Sequence, residues 1–255
     1  MEALEFKNKV VLITGAGSGI GLTTALAFAE EGAKVVVSDI NEKSGLAAVS
    51  KINAAGGEAI FIKCDVANYD EVKNMVETAV LTYDKIDVAM NNAGIGGEYQ
   101  RTAEANHTMF DKVMQINCNG VFYCMQEEIK VMQQQGWGVI INTASIAGLR
   151  ALPNSLAYVA SKHAVVGMTK TAAKEYATKN IRVNALCPVF TVTPLFDPEV
   201  MDQLKAGISD RLKQGIPMKR FSTTHEMADA TMWLASDRAS FVTGLALPID
   251  GGLTA

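Results

Sequence analysis

Short apolar runs alternate with longer amphipathic stretches along most of the chain. The runs predict strands at Val10–Thr14, Lys34–Ser38, Glu58–Cys64, Ile86–Asn91, Gly138–Thr143, Ile181–Cys187 and Leu245–Ile249. Several are apolar throughout instead of alternating, as expected of strands covered on both faces in a parallel sheet. The amphipathic stretches predict helices near Gly19–Glu31, Glu42–Gly56, Tyr69–Tyr83, Ala105–Gln134, Leu156–Lys179 and Pro198–Gln214. Strand–helix alternation of this regularity implies right-handed βαβ units. The expected fold is a single-domain α/β Rossmann architecture spanning 1–255: a doubly wound, mostly parallel seven-stranded sheet with helices on both faces.

One window departs from the alternation. Four of the six prolines, Pro188, Pro194, Pro198 and Pro217, follow the sixth predicted strand. Proline fixes φ and lacks an N–H donor, so the window around 189–217 reads as a long excursion with a short helix, expected to form a lid.

Hydrophobic residues make up 49% and charged residues 20%, which is globular composition. A net charge of −4 gives no basic surface for nucleic acid. Cys64, Cys118, Cys124 and Cys187 sit singly among apolar residues and read as free thiols, which suits a reducing cytoplasmic setting. The charged start, MEALEFKNKV, lacks the pattern of a secretion signal, and no apolar run reaches transmembrane length, so no membrane partner is expected. His107, His163 and His225 are scattered, so no metal site is expected, and His163 reads as structural.

After the first predicted strand comes Gly15-Ala16-Gly17-Ser18-Gly19-Ile20-Gly21. Glycines allow a tight turn and let backbone N–H groups approach a pyrophosphate at a helix N-terminus. Asp39 ends the second strand, 18 residues past Gly21, where a carboxylate accepts hydrogen bonds from a ribose 2′-OH. It would repel a 2′-phosphate, and neither Ser18 nor Ile40 supplies a compensating cation. NAD is therefore the expected cofactor, with contacts from Gly15, Ser18, Gly19, Ile20, Gly21, Asp39 and Ile40.

Tyr158 and Lys162 are four residues apart on one predicted helix and share a face. An ammonium there favours the phenolate and is expected to lower the tyrosine pKa from its ordinary value of about 10. Such a tyrosine can exchange a proton with an alcohol or alkoxide. Ser145 can donate a hydrogen bond to the same oxygen as charge develops. Taken without the glycine turn, the pair reads equally well as a helix-surface contact, and Ser145 as a turn residue.

The spacing Thr14-Gly15-x-x-x-Gly19-x-Gly21, the Asn91-Asn92-Ala93-Gly94 string, Asn117, Ser145 and Tyr158-x-x-x-Lys162 occur in order on the expected elements. Together they resemble the short-chain dehydrogenase/reductase family over nearly the whole chain. The resemblance implies that Lys162 also holds the nicotinamide ribose and that Asn117 supports a water chain carrying protons away. It implies adenine-side contacts from Asp65, Val66, Asn91, Asn92, Ala93 and Gly94, further contacts from Pro188, Thr191 and Thr193, and a homotetramer formed partly through the two long helices. Where the family has Pro-Gly, this chain has Pro188-Val189, which puts the path from Val189 to Thr193 in doubt.

Loops at the carboxyl ends of the strands, Ile95–Arg101, Ile146–Asn154 and Phe190–Met201, are expected to select the substrate. Ile95, Tyr99, Leu149, Leu152, Phe190, Leu195 and Phe196, with Glu98 and Arg150 as nearby charges, suit a medium-sized, largely apolar ketone or secondary alcohol. The alternatives are a 3-oxoacyl thioester reductase and, from another class, a non-catalytic NAD-binding regulator.

Overall fold

The strands are β1 (Val10–Thr14), β2 (Lys34–Asp39), β3 (Glu58–Lys63), β4 (Val88–Asn91), β5 (Gly138–Thr143), β6 (Ile181–Pro188) and β7 (Ala246–Ile249). In the computed structural model, which describes residues 4–204 and 206–255, they form one sheet in the order β3-β2-β1-β4-β5-β6-β7. Every neighbouring pair is parallel, so the sheet is wholly rather than mostly parallel.

The helices are α1 (Gly19–Glu30), α2 (Glu42–Ala54), α3 (Tyr69–Tyr83), α4 (His107–Met114), α5 (Gly120–Gln135), α6 (Leu156–Tyr176), α7 (Pro198–Leu204), α8 (Ile208–Gly215) and α9 (Thr224–Ala235). Alternate residues of β1 face opposite layers. Val10 and Leu12 join the apolar cluster under α3, α5 and α6, whereas Val11 and Ile13 join the one under α1, α2 and α9. This two-sided burial is what the unbroken apolar runs anticipate.

Two helical expectations are corrected, and one further helix is present. The stretch expected as one helix over 105–134 begins at His107, capped by the Asn106 side chain, and is broken by a π-helical turn at Gln115–Asn119 between α4 and α5. The helix expected over 198–214 is two helices, because Gly207 adopts φ +73° between them. The sequence reading contains no helix at 224–235. There Thr223 and Glu226 form a reciprocal capping box, and Met227, Ala228, Thr231 and Leu234 pack inward.

Candidate active site

After β1 the chain builds β2 and β3 to one side, then crosses back so that β4 and all later strands lie on the other. A crevice opens where neighbouring strands lead away in opposite directions. Here a cleft of about 300 Å³ sits at the carboxyl ends of β1 and β4. Gly15, Ser18, Gly19, Ile20, Asp39, Ile40, Asp65, Val66, Asn92, Ala93, Gly94 and Thr193 line it, together with Cys64, Ile95, Ile116, Pro194 and Leu195.

The glycine turn is sterically compelled. Gly15 and Gly19 lie at φ +65° and +54°. A Cβ on Gly21 would fall 2.3 Å from the Gly15 carbonyl oxygen, so α1 packs against the turn only without a side chain there. Gly21→Ala is expected to destabilise the protein by about 1–3 kcal/mol, because the obstructing atom is backbone. Thermal unfolding checks this; an unchanged Tm would show that the turn relaxes freely.

The cleft floor is clamped across strands. Thr14 Oγ1 accepts from the backbone N–H groups of Asn92 and Ala93 at 3.0 and 3.2 Å, and Asn92 Nδ2 donates to the Thr14 carbonyl at 3.1 Å. At the rim, the Asp39 carboxylate accepts from Gly17 N at 2.9 Å and Asn41 N at 2.8 Å. Asp65 Oδ1 accepts from Ala67 N at 3.0 Å.

Beyond the cleft, α6 carries Tyr158 and Lys162. Lys162 is 4% exposed; its Nζ donates to the Thr143 carbonyl at 2.7 Å and lies 5.6 Å from the centre of the Tyr158 ring. Burial lowers the Lys162 pKa to about 8. The fully buried Asn117 sits in the π-helical turn, where its Oδ1 accepts from Ile95 N at 2.9 Å. Its Nδ2 donates to the Ile95 carbonyl at 2.8 Å and to Ser161 Oγ at 3.2 Å. A π turn widens the helix by one residue, and here it aims Asn117 across at the strand-end loop. Ser145 follows β5, and its Oγ donates to the Pro188 carbonyl at 3.5 Å.

The expected lowering of the Tyr158 pKa is not what the chain shows. Burial raises it, and a hydrogen bond from Ser145 offsets only part of that rise. Desolvation of the phenolate is the largest influence, and Lys162, whose Nζ turns to the Thr143 carbonyl, is not among the groups that shift it.

The remaining expected site residues fall partly inside and partly outside the cleft lining. Asn91 does not line the cleft; it is buried beneath it against Glu128 and Asn142. Gly21 supports the turn rather than the lining. Thr191 is buried, and its hydroxyl bonds to Ser222 Oγ at 2.7 Å and to the Val189 carbonyl. Pro188 ends β6 outside the cleft lining. Val189 needs no glycine, since it is absent from the positive-φ positions and its N–H pairs with the Ile249 carbonyl at 3.2 Å. Arg150 turns to the Leu253 carbonyl at 3.3 Å, and Tyr99 is 69% exposed. His163 is exposed with a ring nitrogen 2.9 Å from the Val159 carbonyl. Among the described residues no cluster of three His, Cys, Asp or Glu could hold a metal.

The sequence reading did not assign Cys64, Ile116 or Pro194 to the cleft, nor Thr14 and Thr143 as its braces. Only their places at strand ends or beside assigned residues signal them.

A glycine-turn cleft beside a Ser–Tyr–Lys constellation at the carboxyl edge of a parallel sheet defines a dinucleotide-binding oxidoreductase architecture. The family described as Enoyl-(Acyl carrier protein) reductase matches residues 15–254. A cyclohexanol dehydrogenase of Acinetobacter sp. is 44% identical over 98% of this chain and 96% of its own. A 3beta-hydroxysteroid dehydrogenase of Mediterraneibacter gnavus is 42% identical over the same shares of the two chains. The crystal structure of an NAD+-bound xylitol dehydrogenase superposes with a TM-score of 0.93 at 35% identity, covering 97% of this chain and all of that one. The chain belongs to the short-chain dehydrogenase/reductase family, and it is an oxidoreductase. No helix among the described residues is long and apolar enough to cross a membrane.

Proposed function

We propose that the protein interconverts a secondary alcohol and a ketone with NAD(H), with Tyr158 as the acid/base. The observation that carries this reading is the convergence of Tyr158, Ser145 and Lys162 beside a cleft whose glycine cradle a Cβ would fill. The cleft residues fit a dinucleotide: Gly15, Ser18, Gly19 and Ile20 cradle the pyrophosphate, Asp39 accepts from the adenosine ribose, and Asp65 and Val66 flank the adenine. Lys162 would hold the nicotinamide ribose. When bound, the nicotinamide supplies or accepts the hydride.

In reduction, Tyr158 donates its phenolic proton to the oxygen of the substrate and Ser145 donates a hydrogen bond to the same oxygen. In oxidation Tyr158 takes the proton. Lys162 beside Tyr158 stabilises the phenolate that remains after donation. Asn117, held by Ile95 and Ser161, fixes the strand-end loop next to Lys162.

The substrate reading rests on an apolar wall next to Ser145. Ile146, Val189 and Ile216 are buried together, with Phe190, Phe221 and Leu253 packed on them. Phe196 lies 5.0 Å from Phe190 and 5.1 Å from Phe221, ring centre to centre. We read the segment around 189–217, with α7 and α8, as the lid, and it supplies much of this wall through Val189, Phe190, Phe196 and Ile216. The wall suits a compact apolar or alicyclic substrate, the chemistry that the names of the two curated relatives carry. Phe122 on α5 and Leu156 on α6 are 47% and 41% exposed, and they support a homotetramer through these helices. A single monomer-sized species at micromolar concentration in sedimentation would overturn the tetramer.

The test is NADH and NADPH oxidation with cyclic ketones, linear ketones and 3-oxoacyl thioesters. NADH-dependent turnover of cyclic ketones is expected. Turnover of thioesters alone would replace the substrate reading, and nucleotide binding without turnover of any carbonyl would favour a regulator.

A further inference from the structure

Beneath the cleft floor lies a polar network that the proposed reaction does not use. Asn91 ends β4, Asn142 is on β5, Thr169 on α6 and Glu128 on α5, and all four are fully or nearly fully buried. Asn91 Nδ2 donates to Glu128 Oε2 and to Asn142 Oδ1, each at 3.0 Å, which uses both of its hydrogens. Asn142 Nδ2 donates to Thr169 Oγ1 at 2.9 Å. Two atoms of this network have no partner: Asn91 Oδ1 and Glu128 Oε1.

These two orphans belong to the two groups already joined by one hydrogen bond. Both are acceptors as long as Glu128 is a carboxylate. A buried carboxylate without a cation is strongly unfavourable, and so is an unsatisfied buried amide oxygen. One proton on Glu128 Oε1 removes both problems.

We propose that Glu128 is a neutral carboxylic acid that donates to Asn91 Oδ1, closing an acid–amide ring that positions the β4 end beneath the nucleotide cleft. The ring contains Asn91 Nδ2–H to Glu128 Oε2 and Glu128 Oε1–H to Asn91 Oδ1. Turning the Asn91 and Asn142 amides over reverses the ring but still requires the proton. Asn92 and Ala93, which follow Asn91 directly, clamp Thr14 and line the cleft, so Glu128 acts on the nucleotide site through Asn91 as a positioning residue.

The surroundings agree. Burial raises the Glu128 pKa to about 7, and the Asn91 amide is the only opposing influence. Cys124, one turn earlier on the same helix, has a thiol that burial pushes far up; Cys64, just after β3 and beside Cys124, is pushed up to about 12. Neither thiol titrates near neutral pH. Asn91, Asn142 and Thr169 are the uncharged contributions of β4, β5 and α6. The charged neighbours on α5, Glu127 and Lys130, pair with each other at 2.7 Å, and Tyr69 of α3 donates to Glu127 at 2.7 Å.

The sign of the pH effect follows. A folded-state pKa above the unfolded one makes the stabilisation complete below the unfolded value and lost as pH rises toward about 7. Glutamine keeps the ring, with its amide N–H replacing the acid O–H, but cannot titrate. Methionine fills the space and cannot close the ring.

The experiment compares wild type, Glu128→Gln and Glu128→Met by thermal unfolding from pH 5 to 8, by infrared difference spectroscopy and by steady-state kinetics with NAD. The carbonyl stretch of a protonated carboxyl group is expected in wild type at pH 6 and absent in Glu128→Gln. The Tm of wild type relative to Glu128→Gln is expected to fall by on the order of 5 °C between pH 5 and 7.5, then level. Glu128→Met is expected to lose a similar ~5 °C at pH 6 and to raise KM for NAD more than it lowers kcat, with Glu128→Gln restoring both. A carboxylate band at pH 6, a pH-independent Tm difference, or a Glu128→Gln as damaged as Glu128→Met would each overturn the proposal. Spectra and Tm report on Glu128 even where no turnover with NAD is found, so they separate this ring from the cofactor reading.

Discussion

Tyr158→Phe is expected to lower turnover by about 10²–10⁴-fold in both directions while leaving the fold and nucleotide binding intact. Phenylalanine retains the ring and loses only the oxygen that exchanges the proton. Ser145 cannot take over, because an aliphatic hydroxyl is a far weaker acid than a phenol and does not exchange a proton in the same pH range. The wild-type pH profile should show the same group. Since burial raises the Tyr158 pKa, alcohol oxidation, which needs the phenolate, should increase as pH rises, and ketone reduction should decrease. Lys162 is drawn down toward about 8, so its supporting charge is also fading over that range and the rise in oxidation should flatten. Stopped-flow hydride transfer at several pH values, with nucleotide affinity by fluorescence titration, checks both statements. A Tyr158→Phe enzyme within threefold of wild type would remove Tyr158 from the chemistry.

The sheet was readable in the sequence because its strands are buried on both faces and leave continuous apolar runs. β1 and β5 start and stop at the expected residues, and α3 runs from Tyr69 to Tyr83 as the pattern predicts. The errors lie where local pattern competes with distant contacts. Gly207 breaks the helical excursion, and glycine inside an amphipathic stretch does not announce whether it will adopt positive φ. The π turn at Gln115–Asn119 preserves helical periodicity to either side. Within it, Asn117 bonds to Ile95, 22 residues away in sequence. The helix at Thr224–Ala235 mixes small and apolar residues, and the Thr223–Glu226 capping box was its readable signal.

The site shows the same division. Residues on the glycine turn and strand ends fall in the cleft because their element fixes their position. Thr191 turns inward because Ser222, 31 residues on, offers its hydroxyl a partner. Asn91 and Asn92 are adjacent in sequence and point to different surroundings, one to a buried acid and the other to the glycine turn. Alternation along a strand end predicts that only one of the two can face the cleft, but not which one.

The second large effect concerns the choice of dinucleotide. Asp39 Oδ2 accepts from Gly17 N, so its carboxylate is held at the cleft rim, and Ile40 beside it is 60% exposed. A 2′-phosphate placed there would meet a fixed like charge, and neither Ser18 nor Ile40 supplies a compensating cation. Asp39→Asn removes the charge and keeps an oxygen for Gly17 N, while Asn41 N, at the exposed rim, can turn to water. Adding Ile40→Arg supplies a guanidinium able to form charge-assisted bonds to phosphate. Relief of repulsion plus such bonds is worth about 3–4 kcal/mol, so the double variant should shift the NADPH-to-NADH ratio of kcat/KM by about 10²–10³-fold. Most of that change should appear in KM, since the adenosine end is remote from the reacting carbon and binds ground and transition states alike. Asp39→Asn alone should weaken NADH and improve NADPH by a smaller factor. A wild-type enzyme that already prefers NADPH would overturn the role given to Asp39. A double variant with an unchanged ratio would instead show that residue 40 does not reach the phosphate.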